Sequence, residues 1–315
     1  MQFITKKTTE LTAEEKKGLV DLFNEVFIKA RTVEDFDRQF LNNPEGYSCH
    51  SYAVEDGKIV ASNSMIPSVY IYGGKQLRFV NSVDTMIAEH HRGLENFYDM
   101  IKTSFGFAEE QGYDAVYGFP NDNSYELFTK LKFMKDVGKL DTYFLPYRIG
   151  GIKKGLKVFN FMSILFCRLW FWGSALFASG KMSSFYIEKE AKSFNETRYK
   201  RSDGRYSVVE GLFAYKVMEF DGVRTAFIID VFGKSAKNFT KSIKYLFKNE
   251  SKNFDLILYV GHLRFSSYGL IKIPRKYEPK HFNFTAAVMN KNTVDKKALF
   301  DIDNWDINLS NYDVI

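Results

Sequence analysis

The residues best suited to chemistry lie in the stretch IAEHHRGLENFYDMI, residues 87–101. Arg92 and Gly93 stand directly before a run whose apolar spacing predicts a helix over about 94–111. Backbone N–H groups at a helix N-terminus attract phosphate, and glycine lets a ligand approach the chain closely. The stretch therefore predicts a phosphate-binding loop that opens a helix. Glu95 disagrees with this prediction because its carboxylate repels phosphate. Either its side chain points away while its N–H still donates, or it complements the positive end of the helix dipole and the helix start has lost its ligand.

Local signals predict the elements that must position this loop. Thr12 and Glu15 stand at capping-box spacing before an amphipathic run, and Thr32 begins a second short helix. Three extended runs follow, separated by the turn signals Asp56-Gly57 and Gly73-Gly74. After the loop helix come a strand at YDAVYGF, a helix at SYELFTKLKF and a strand near KLDTYFLP. The predicted order is therefore helix, helix, three antiparallel strands, helix, strand, helix, strand.

With this order, residues 1–147 resemble the GCN5-related N-acetyltransferase (GNAT) family. In that family the fourth strand ends in a loop of pattern Arg/Gln-x-x-Gly-x-Gly/Ala, whose backbone N–H groups hold the pyrophosphate of acetyl-CoA. Here Arg92 takes the first position, whereas Glu95 and Phe97 replace the two small residues. A second family motif, Asn-x-x-Ala-x-x-x-Tyr-x-x-x-Gly-Phe, reads NDNSYELFTKLKF, with Phe128 at the tyrosine and Lys132 at the glycine.

The resemblance implies acetyl-CoA as the co-substrate of this domain. The cofactor-binding residues that it implies are Thr85, Met86, Ile87, Arg92, Gly93, Leu94, Glu95, Asn96, Phe97 and Asn123. The family tyrosine protonates the departing CoA thiolate, so Tyr125, one turn before Phe128, is the expected general acid. Asp84, on the strand expected to line the acyl site, is the expected general base. Each also has a structural interpretation, Tyr125 as packing at the helix start and Asp84 as a hydrogen-bonded structural carboxylate.

Residues 205–315 repeat the order of the first half more faintly. A hairpin with its turn at Asp221-Gly222 precedes a helix at SAKNFTKSIKYLFKNES, a buried strand at FDLILYVG and a final strand at FNFTAAVMN. The spacing of Gly118, Ser124 and Tyr125 recurs at Gly261, Ser267 and Tyr268.

We therefore predict an α+β chain (mixed α/β) of two tandem GNAT-like domains, each a mostly antiparallel twisted sheet flanked by helices. The predicted division is a first domain over 1–147, a helical linker over 148–190 and a second domain over 191–315. DVFGKSAKNF replaces the Arg-Gly loop in the second domain, so only the first is expected to bind CoA.

The predicted linker contains a long apolar run, VFNFMSILFCRLWFWGSALFA, residues 158–178, in which Arg168 is the only charge. No acidic residue occurs from Thr142 to Ile187, and tryptophans beside lysines suit a helix on an anionic lipid surface. Three interpretations stay open at this point. The run forms helices buried between domains or in a dimer contact, makes a peripheral membrane contact, or spans a membrane, against which Arg168 argues.

Charge is distributed unevenly along the chain. Residues 1–145 hold 16 Lys+Arg against 22 Asp+Glu, whereas residues 146–315 hold 28 against 16. The basic half suits an anionic partner or is a solvated lysine-rich face. The first residues show no apolar signal segment, and two cysteines make no disulfide framework. We therefore expect a cytoplasmic protein, with membrane-surface association through 158–178 if that interpretation holds.

The resemblance to the GNAT family implies an N-acyltransferase that moves an acetyl or other acyl group from acyl-CoA to a small-molecule amine. The chain also resembles GNAT-like proteins of bacterial surface-polysaccharide loci, including its closing pattern from Trp305 to Ile315, which implies an amino-sugar acceptor. No clustered His, Cys and carboxylate set predicts a metal. One alternative is a Fem-like aminoacyl-tRNA-dependent transferase, although nucleic acid is not the expected partner. Another is a non-catalytic GNAT-fold binding protein whose CoA site has decayed, which Glu95, Phe97 and Phe128 together favour and which predicts no CoA binding. The oligomeric state stays open.

Overall fold

The computed structural model describes residues 1–179, 186–199, 206–264, 269–278 and 280–312. The strands in these ranges are β1 Gln2–Lys7, β2 Cys49–Glu55, β3 Lys58–Tyr72, β4 Lys75–Ile87, β5 Ala115–Gly118, β6 Lys135–Leu145, β7 Ile187–Lys189, β8 Ser207–Val209, β9 Phe213–Phe220, β10 Val223–Val231, β11 Leu256–Gly261, β12 Ile271–Lys272 and β13 Phe282–Val288. The α-helices are α1 Ala13–Phe27, α2 Val33–Leu41, α3 Leu94–Glu110, α4 Asp122–Lys130, α5 Ile149–Ile152, α6 Asn160–Leu176, α7 Ala191–Phe194, α8 Ala236–Asn249 and α9 Lys296–Leu299.

The chain contributes to two compact units in alternating segments. The described residues within 1–138, 186–198 and 282–305 form the first unit, and those within 139–185, 199–281 and 306–315 form the second. This division differs from the predicted segments 1–147, 148–190 and 191–315. β6 from Lys139 onward lies in the second unit, and β13 lies in the first. There β13 pairs antiparallel with β5, from Thr285 opposite Gly118 to Val288 opposite Ala115, and satisfies backbone groups on that side of β5.

The first unit is a mostly antiparallel sheet with helices packed against it. Its strand order is β1-β2-β3-β4-β5-β13, with β7 added to β3, and only the β4–β5 pair is parallel. One core cluster joins Leu19 and Phe36 from α1 and α2 to the strand residue Tyr52. Another joins Ile101 from α3 and Phe128 from α4 to the strands. The sheet therefore holds α3 and α4 by packing.

The second unit repeats this plan with a smaller sheet. Its strand order is β6-β11-β10-β9-β8, with β12 added to β6, and the β10–β11 pair is parallel. Phe239, Ile243 and Leu246 of α8 pack against the strands, together with Cys167 and Phe171 of α6. The predicted mixed α/β class with mostly antiparallel sheet flanked by helices is therefore confirmed.

The local predictions for the first half are also confirmed at the level of caps and turns. The Thr12 side chain accepts a hydrogen bond from the Glu15 N–H in a reciprocal capping box, and Thr32 does the same for α2. Gly57 and Gly73 have positive φ, as tight hairpin turns require. Strand β1, by contrast, appears in no sequence prediction. Ser267 and Tyr268, which supported the internal repeat, lie outside the described residues.

Candidate functional site

The parallel strands β4 and β5 part before β4 ends. Their pairing stops at Ser82 opposite Gly118, while β4 continues to Ile87 alongside β3. The register with β3 shifts within this extension, so that Asp84 and Thr85 together oppose Asn63. Asp84 has φ 50°, the left-handed conformation of a β-bulge. A strand that leaves its neighbour here turns backbone N–H and C=O groups toward the gap, where an extended ligand can pair with them.

Asn63 fixes the bulge from the opposite strand. Its buried side-chain oxygen accepts hydrogen bonds from Thr85 Oγ1 at 2.7 Å and Ser82 Oγ at 3.0 Å. Its amide group donates to Ser104 Oγ of α3 at 2.8 Å. Because each polar group has a partner, this buried network rigidifies the bulge and ties it to the loop helix.

Asp84 forms an ion pair with Arg31, with Nη1 and Oδ2 2.6 Å apart and both side chains largely buried. Arg31 comes from the segment after α1, where Asn24 holds its backbone through two hydrogen bonds of 2.7 and 2.9 Å. The guanidinium also lies over the ring of Phe23, 3.3 Å from its centroid. Asp84, the predicted general base, is therefore an ion-paired carboxylate, and Asn24 and Phe23 hold its partner Arg31 in place.

The connection from β4 to α3 is a short ordered turn. Residues Glu89–His91 form one 3₁₀ turn, and His91 contacts the Glu55 carboxylate at the end of β2 at 2.6 Å. This hydrogen bond lowers the pKa of Glu55. Asn96 Nδ2 donates to the His91 carbonyl at 2.7 Å, and Arg92 Nε donates to the Ile87 carbonyl at 3.4 Å. The predicted residues of the strand end and the loop are therefore brought together in one place.

α3 begins at the predicted position and no side chain caps it. Gly93 is its N-cap residue, and the first helical hydrogen bond runs from Phe97 N–H to the Gly93 carbonyl. The N–H groups of Leu94, Glu95 and Asn96 therefore have no acceptor within the helix. Leu94 and Glu95 are exposed at its surface. This is the local geometry that binds anions at a helix start.

The two departures from the family loop pattern behave differently. Phe97 is buried and turns into the core, where its ring packs edge-on against Phe128 with centroids 5.2 Å apart. Its bulk therefore stays out of the loop. Glu95 is exposed, so its carboxylate reaches solvent while its backbone N–H stays in the first turn of α3.

α4 holds the second motif. Asn121 caps it by accepting the Ser124 N–H at 2.9 Å, and Asn123 is exposed in its first turn. Lys132, at the family glycine position, has φ 61°, so the backbone keeps the left-handed conformation that glycine adopts most readily. Phe128 at the family tyrosine position is a core residue.

Tyr125 is half-buried, and its hydroxyl forms a hydrogen bond with the Asp136 carboxylate. Burial, the Asp136 charge and the hydrogen bond to that carboxylate all raise the pKa of Tyr125. A tyrosine with a raised pKa holds its proton more tightly, which makes it a weaker acid toward a thiolate. Tyr125 and Asp84 therefore direct their polar groups to different partners, Asp136 and Arg31.

Sequence reasoning missed Arg31, Asn63 and Asp136, which set the environment of the predicted residues. Asn63 left a signal, because it is the amide in the otherwise compact strand IVASNSMIP. Arg31 and Asp136 left none, since each meets its partner only through the fold. Within the ranges that the structure describes, no group of three or more His, Cys, Asp or Glu side chains is placed to hold a metal.

Comparison with known proteins places the fold. No protein-family model and no curated protein matches the sequence. Solved structures, three of which follow, match the chain in fold at low sequence identity. A conserved Enterococcus faecalis protein described as a probable N-acyltransferase matches with TM-score 0.58 and 12% identity, over 93% of this chain and 74% of that one. GCN5-related N-acetyltransferases from Anabaena variabilis and Kribbella flavida match with TM-scores of 0.58 and 0.56 and identities of 10% and 11%. These two matches cover 91% of this chain and 73% and 71% of theirs. The chain therefore has the GNAT fold.

Proposed function

We propose that this protein is an N-acyltransferase that uses acyl-CoA as donor and an amine as acceptor, with its donor site in the first unit. The observation that carries the proposal is the end of β4. The strand parts from β5, bulges at Asp84 and leads into the uncapped start of α3. Three independent features of the backbone thus converge on one short stretch of chain.

The residues at this place fit an acyl-CoA molecule. The backbone of Thr85, Met86 and Ile87 would hold the pantetheine arm along the side of β4 that β5 has left. The N–H groups of Leu94, Glu95 and Asn96 and the exposed Arg92 would hold the pyrophosphate. When bound, acyl-CoA supplies the activated thioester. Backbone N–H groups at the bulge would stabilise negative charge that develops on the acyl oxygen.

The two residues that would move protons, Asp84 and Tyr125, already have partners in the structure. Asp84 would take the proton from the acceptor amine, directly or through water, while its ion pair with Arg31 fixes the position of the carboxylate. Tyr125 would donate a hydrogen bond to the leaving sulfur only after exchanging its Asp136 partner. Asn123, exposed beside it, would contact the same end of the donor. The acceptor we propose is an amino sugar of a cell-surface polysaccharide, by resemblance alone.

A second candidate, CoA binding without turnover, is favoured by two observations. Phe128 stands in the core where the family has a tyrosine, and the Tyr125 hydroxyl is engaged by Asp136. Under this alternative the donor site stays intact while proton transfer is lost. Binding and turnover must therefore be measured separately.

The decisive experiment is calorimetric titration of acetyl-CoA and CoA into the natural protein and three variants. We expect micromolar binding by the natural protein and about fivefold tighter binding after Glu95→Gln, since removing a charge near 4 Å in water is worth roughly 1 kcal/mol. Glu110→Gln makes the same change at the other end of α3, where the side chain is also exposed, and should leave the affinity unchanged. Absence of binding by the natural protein, Glu95→Gln and Glu95→Gly alike would overturn the proposal.

Turnover is then tested by release of free thiol from acetyl-CoA with a panel of amines that includes amino sugars. Acyl transfer that is lost in Asp84→Asn with CoA affinity retained would support the catalytic assignment. Tight CoA binding with no thiol release for any amine would instead support the second candidate, CoA binding without turnover.

A further inference from the structure

The second unit exposes one face of α6 that has no counterpart in the first unit. The helical stretch Lys154–Leu176, which includes α6, is the one among the described residues long and apolar enough to cross a membrane, judged by length and composition. Only 11% of its most apolar window is buried. Most of this stretch is therefore exposed within the described chain. An exposed apolar surface of this extent is uncommon in proteins that meet only water.

The exposed residues of this stretch are apolar on one half of the helix circumference. They are Phe161, Met162, Leu165, Phe166, Leu169, Trp170, Trp172, Gly173 and Leu176, called the α6 face below. At 100° per residue these positions cover one continuous arc of about 180°. Arg168 falls outside the arc and donates to the Tyr147 hydroxyl at 3.1 Å. The α6 face thus contains no charged side chain.

The opposite side of α6 is built into the core of the second unit. Cys167 and Phe171 are each 1% exposed, and the Phe171 ring packs edge-on against Phe247 of α8 with centroids 5.2 Å apart. A helix that is fixed along its length to a folded sheet cannot cross a bilayer. The α6 face can only lie flat against a surface.

Positive charge surrounds the α6 face. Lys153, Lys154 and Lys157 are exposed just before α6, and no acidic residue occurs between Thr142 and Ile187. The neighbouring helix α8 has exposed lysines one above another, at Lys237, Lys241, Lys244 and Lys248, and no acidic residue. Lys244 joins the two features, because its Nζ lies over the Trp172 ring, 5.3 Å from the centroid.

We propose that the α6 face and the α8 lysines together form a docking surface for an anionic lipid bilayer. The apolar face with its two tryptophans enters the boundary between headgroups and acyl chains, and the lysines contact phosphate groups at the membrane surface. A second copy of this chain fits the charge pattern less well, since two such surfaces would bring lysine rows together. The proposal does not depend on acyl transfer and places the protein at the surface of a membrane.

Vesicle co-sedimentation tests the proposal with the full-length protein. Vesicles of neutral phosphatidylcholine are compared with vesicles that contain about one third phosphatidylglycerol. We expect at least tenfold stronger binding to the anionic vesicles, reduced by high salt because surface charges are screened. No sedimentation with either, or equal sedimentation with both, would overturn the proposal.

Two variants locate the surface. Leu169→Glu places a charge at the centre of the α6 face, where the side chain is 63% exposed, and should abolish sedimentation while the thermal unfolding temperature stays the same. Tyr277→Glu introduces the same charge at a side chain of the second unit that is 67% exposed and lies outside the α6 face, and should sediment as the natural protein does. Lys241→Glu combined with Lys248→Glu should weaken binding to anionic vesicles at least fivefold. Unchanged sedimentation of Leu169→Glu would overturn the proposal.

Solution mass by light scattering separates lipid docking from self-association. A dimer in the absence of lipid that Leu169→Glu converts to a monomer, with no vesicle binding, would assign the α6 face to a second copy and overturn the lipid proposal. A monomer that binds vesicles and detaches on Leu169→Glu would support it.

Discussion

β4 and β10 end with the same backbone arrangement, but different groups lie against the two strand ends. Each strand runs parallel to its neighbour, parts from it and then bulges, at Asp84 in the first unit and at Ile229 in the second. Each leads into a helix, α3 or α8, that packs on its own sheet. At the same point of its element order, each unit thus has a strand that parts from its parallel neighbour, bulges and leads into a helix.

In the second unit a later segment of the chain lies in the gap where β10 parts from β11. Asn308 forms a bridge with Gly261 at the end of β11, and its side-chain amide donates to Asp230 at 2.6 Å. Ser235 caps α8 by accepting the Asn238 N–H at 3.1 Å, whereas no side chain caps α3. The remaining cavity at this point is about 20 Å³, room for about one water molecule. The difference shows that sheet geometry alone does not make a ligand site, and that the backbone groups must also be left open.

The largest expected effect tests the filled end in the second unit. Asp230 accepts hydrogen bonds from Tyr199, Asn308 and the Val231 N–H and is 4% exposed. Asp230→Ala leaves these donors without an acceptor, so we expect a loss of about 4 kcal/mol in the free energy of unfolding. Asp84→Ala leaves the largely buried Arg31 of the first unit without this ion pair and should cost about 3 kcal/mol. Urea unfolding measures both, and equal losses would contradict the distinction between a filled end and an open end.

The first half was predictable in its elements because its signals are local. The capping boxes, the glycine turns and the Arg92-Gly93 helix start depend on neighbouring residues, and each is present where the sequence predicts it. The unit boundaries were not predictable. β6 and β13 are both good strands, and no local pattern states which sheet edge each will join.

The side-chain partners of the site were equally hidden. Arg31 meets Asp84 across 53 residues of sequence, and an exposed or buried arginine has the same local pattern. The α6 segment is apolar nearly all round, so its periodicity does not say which side is covered. Only its packing against Phe247 shows that half of the helix circumference remains exposed.

The next effect in size distinguishes the two units by pH. His50 is fully buried in the first unit, between Thr8 and Ser64, and burial lowers its pKa from 6.5 to about 3. The unfolded chain therefore binds a proton below pH 6.5 that the folded chain does not, and stability is lost as the pH falls from about 6.5 toward 3. At pH 5.0 this one residue should cost about 2 kcal/mol relative to pH 7.5.

Hydrogen exchange, corrected for intrinsic rates, measures this effect strand by strand. Protection should fall more at β2 and β3 than at β10 and β11 when the pH is lowered to 5.0. His50→Gln provides the control, since it should remove most of the pH dependence whatever its own stability. An equal loss in both units, or the same pH dependence in His50→Gln, would assign the acid sensitivity to other groups.

CoA affinity gives the direct comparison of the two helix starts. Arg92→Ala removes an exposed cation beside the uncapped start of α3, and we expect about tenfold weaker CoA binding, or about 1.4 kcal/mol. Lys237→Ala removes an exposed cation in the first turn of the capped helix α8 and should leave the affinity unchanged. Calorimetry with CoA measures both. Loss of affinity in Lys237→Ala but not in Arg92→Ala would move the donor site to the second unit.

The smallest effect uses the same backbone strain in both units. Lys132 after α4 and Lys234 before α8 have φ of 61° and 38°, in the left-handed region that costs a non-glycine residue about 1 kcal/mol. The Lys132 side chain is exposed, so Lys132→Gly should stabilise the protein by about 0.5 to 1 kcal/mol. Lys132→Ala keeps the β-carbon and should give no gain.

Lys234→Gly should lose stability despite the same relief of backbone strain, because Lys234 forms an ion pair with the buried Asp306. Asp306 lies two residues before Asn308, in the segment that occupies the end of β10. Thermal unfolding of the three variants gives the comparison. If Lys234→Gly stabilised the protein as Lys132→Gly does, the Lys234–Asp306 pair would contribute nothing to holding the segment that fills the second unit. The strain at Lys234 would then have no compensating contact.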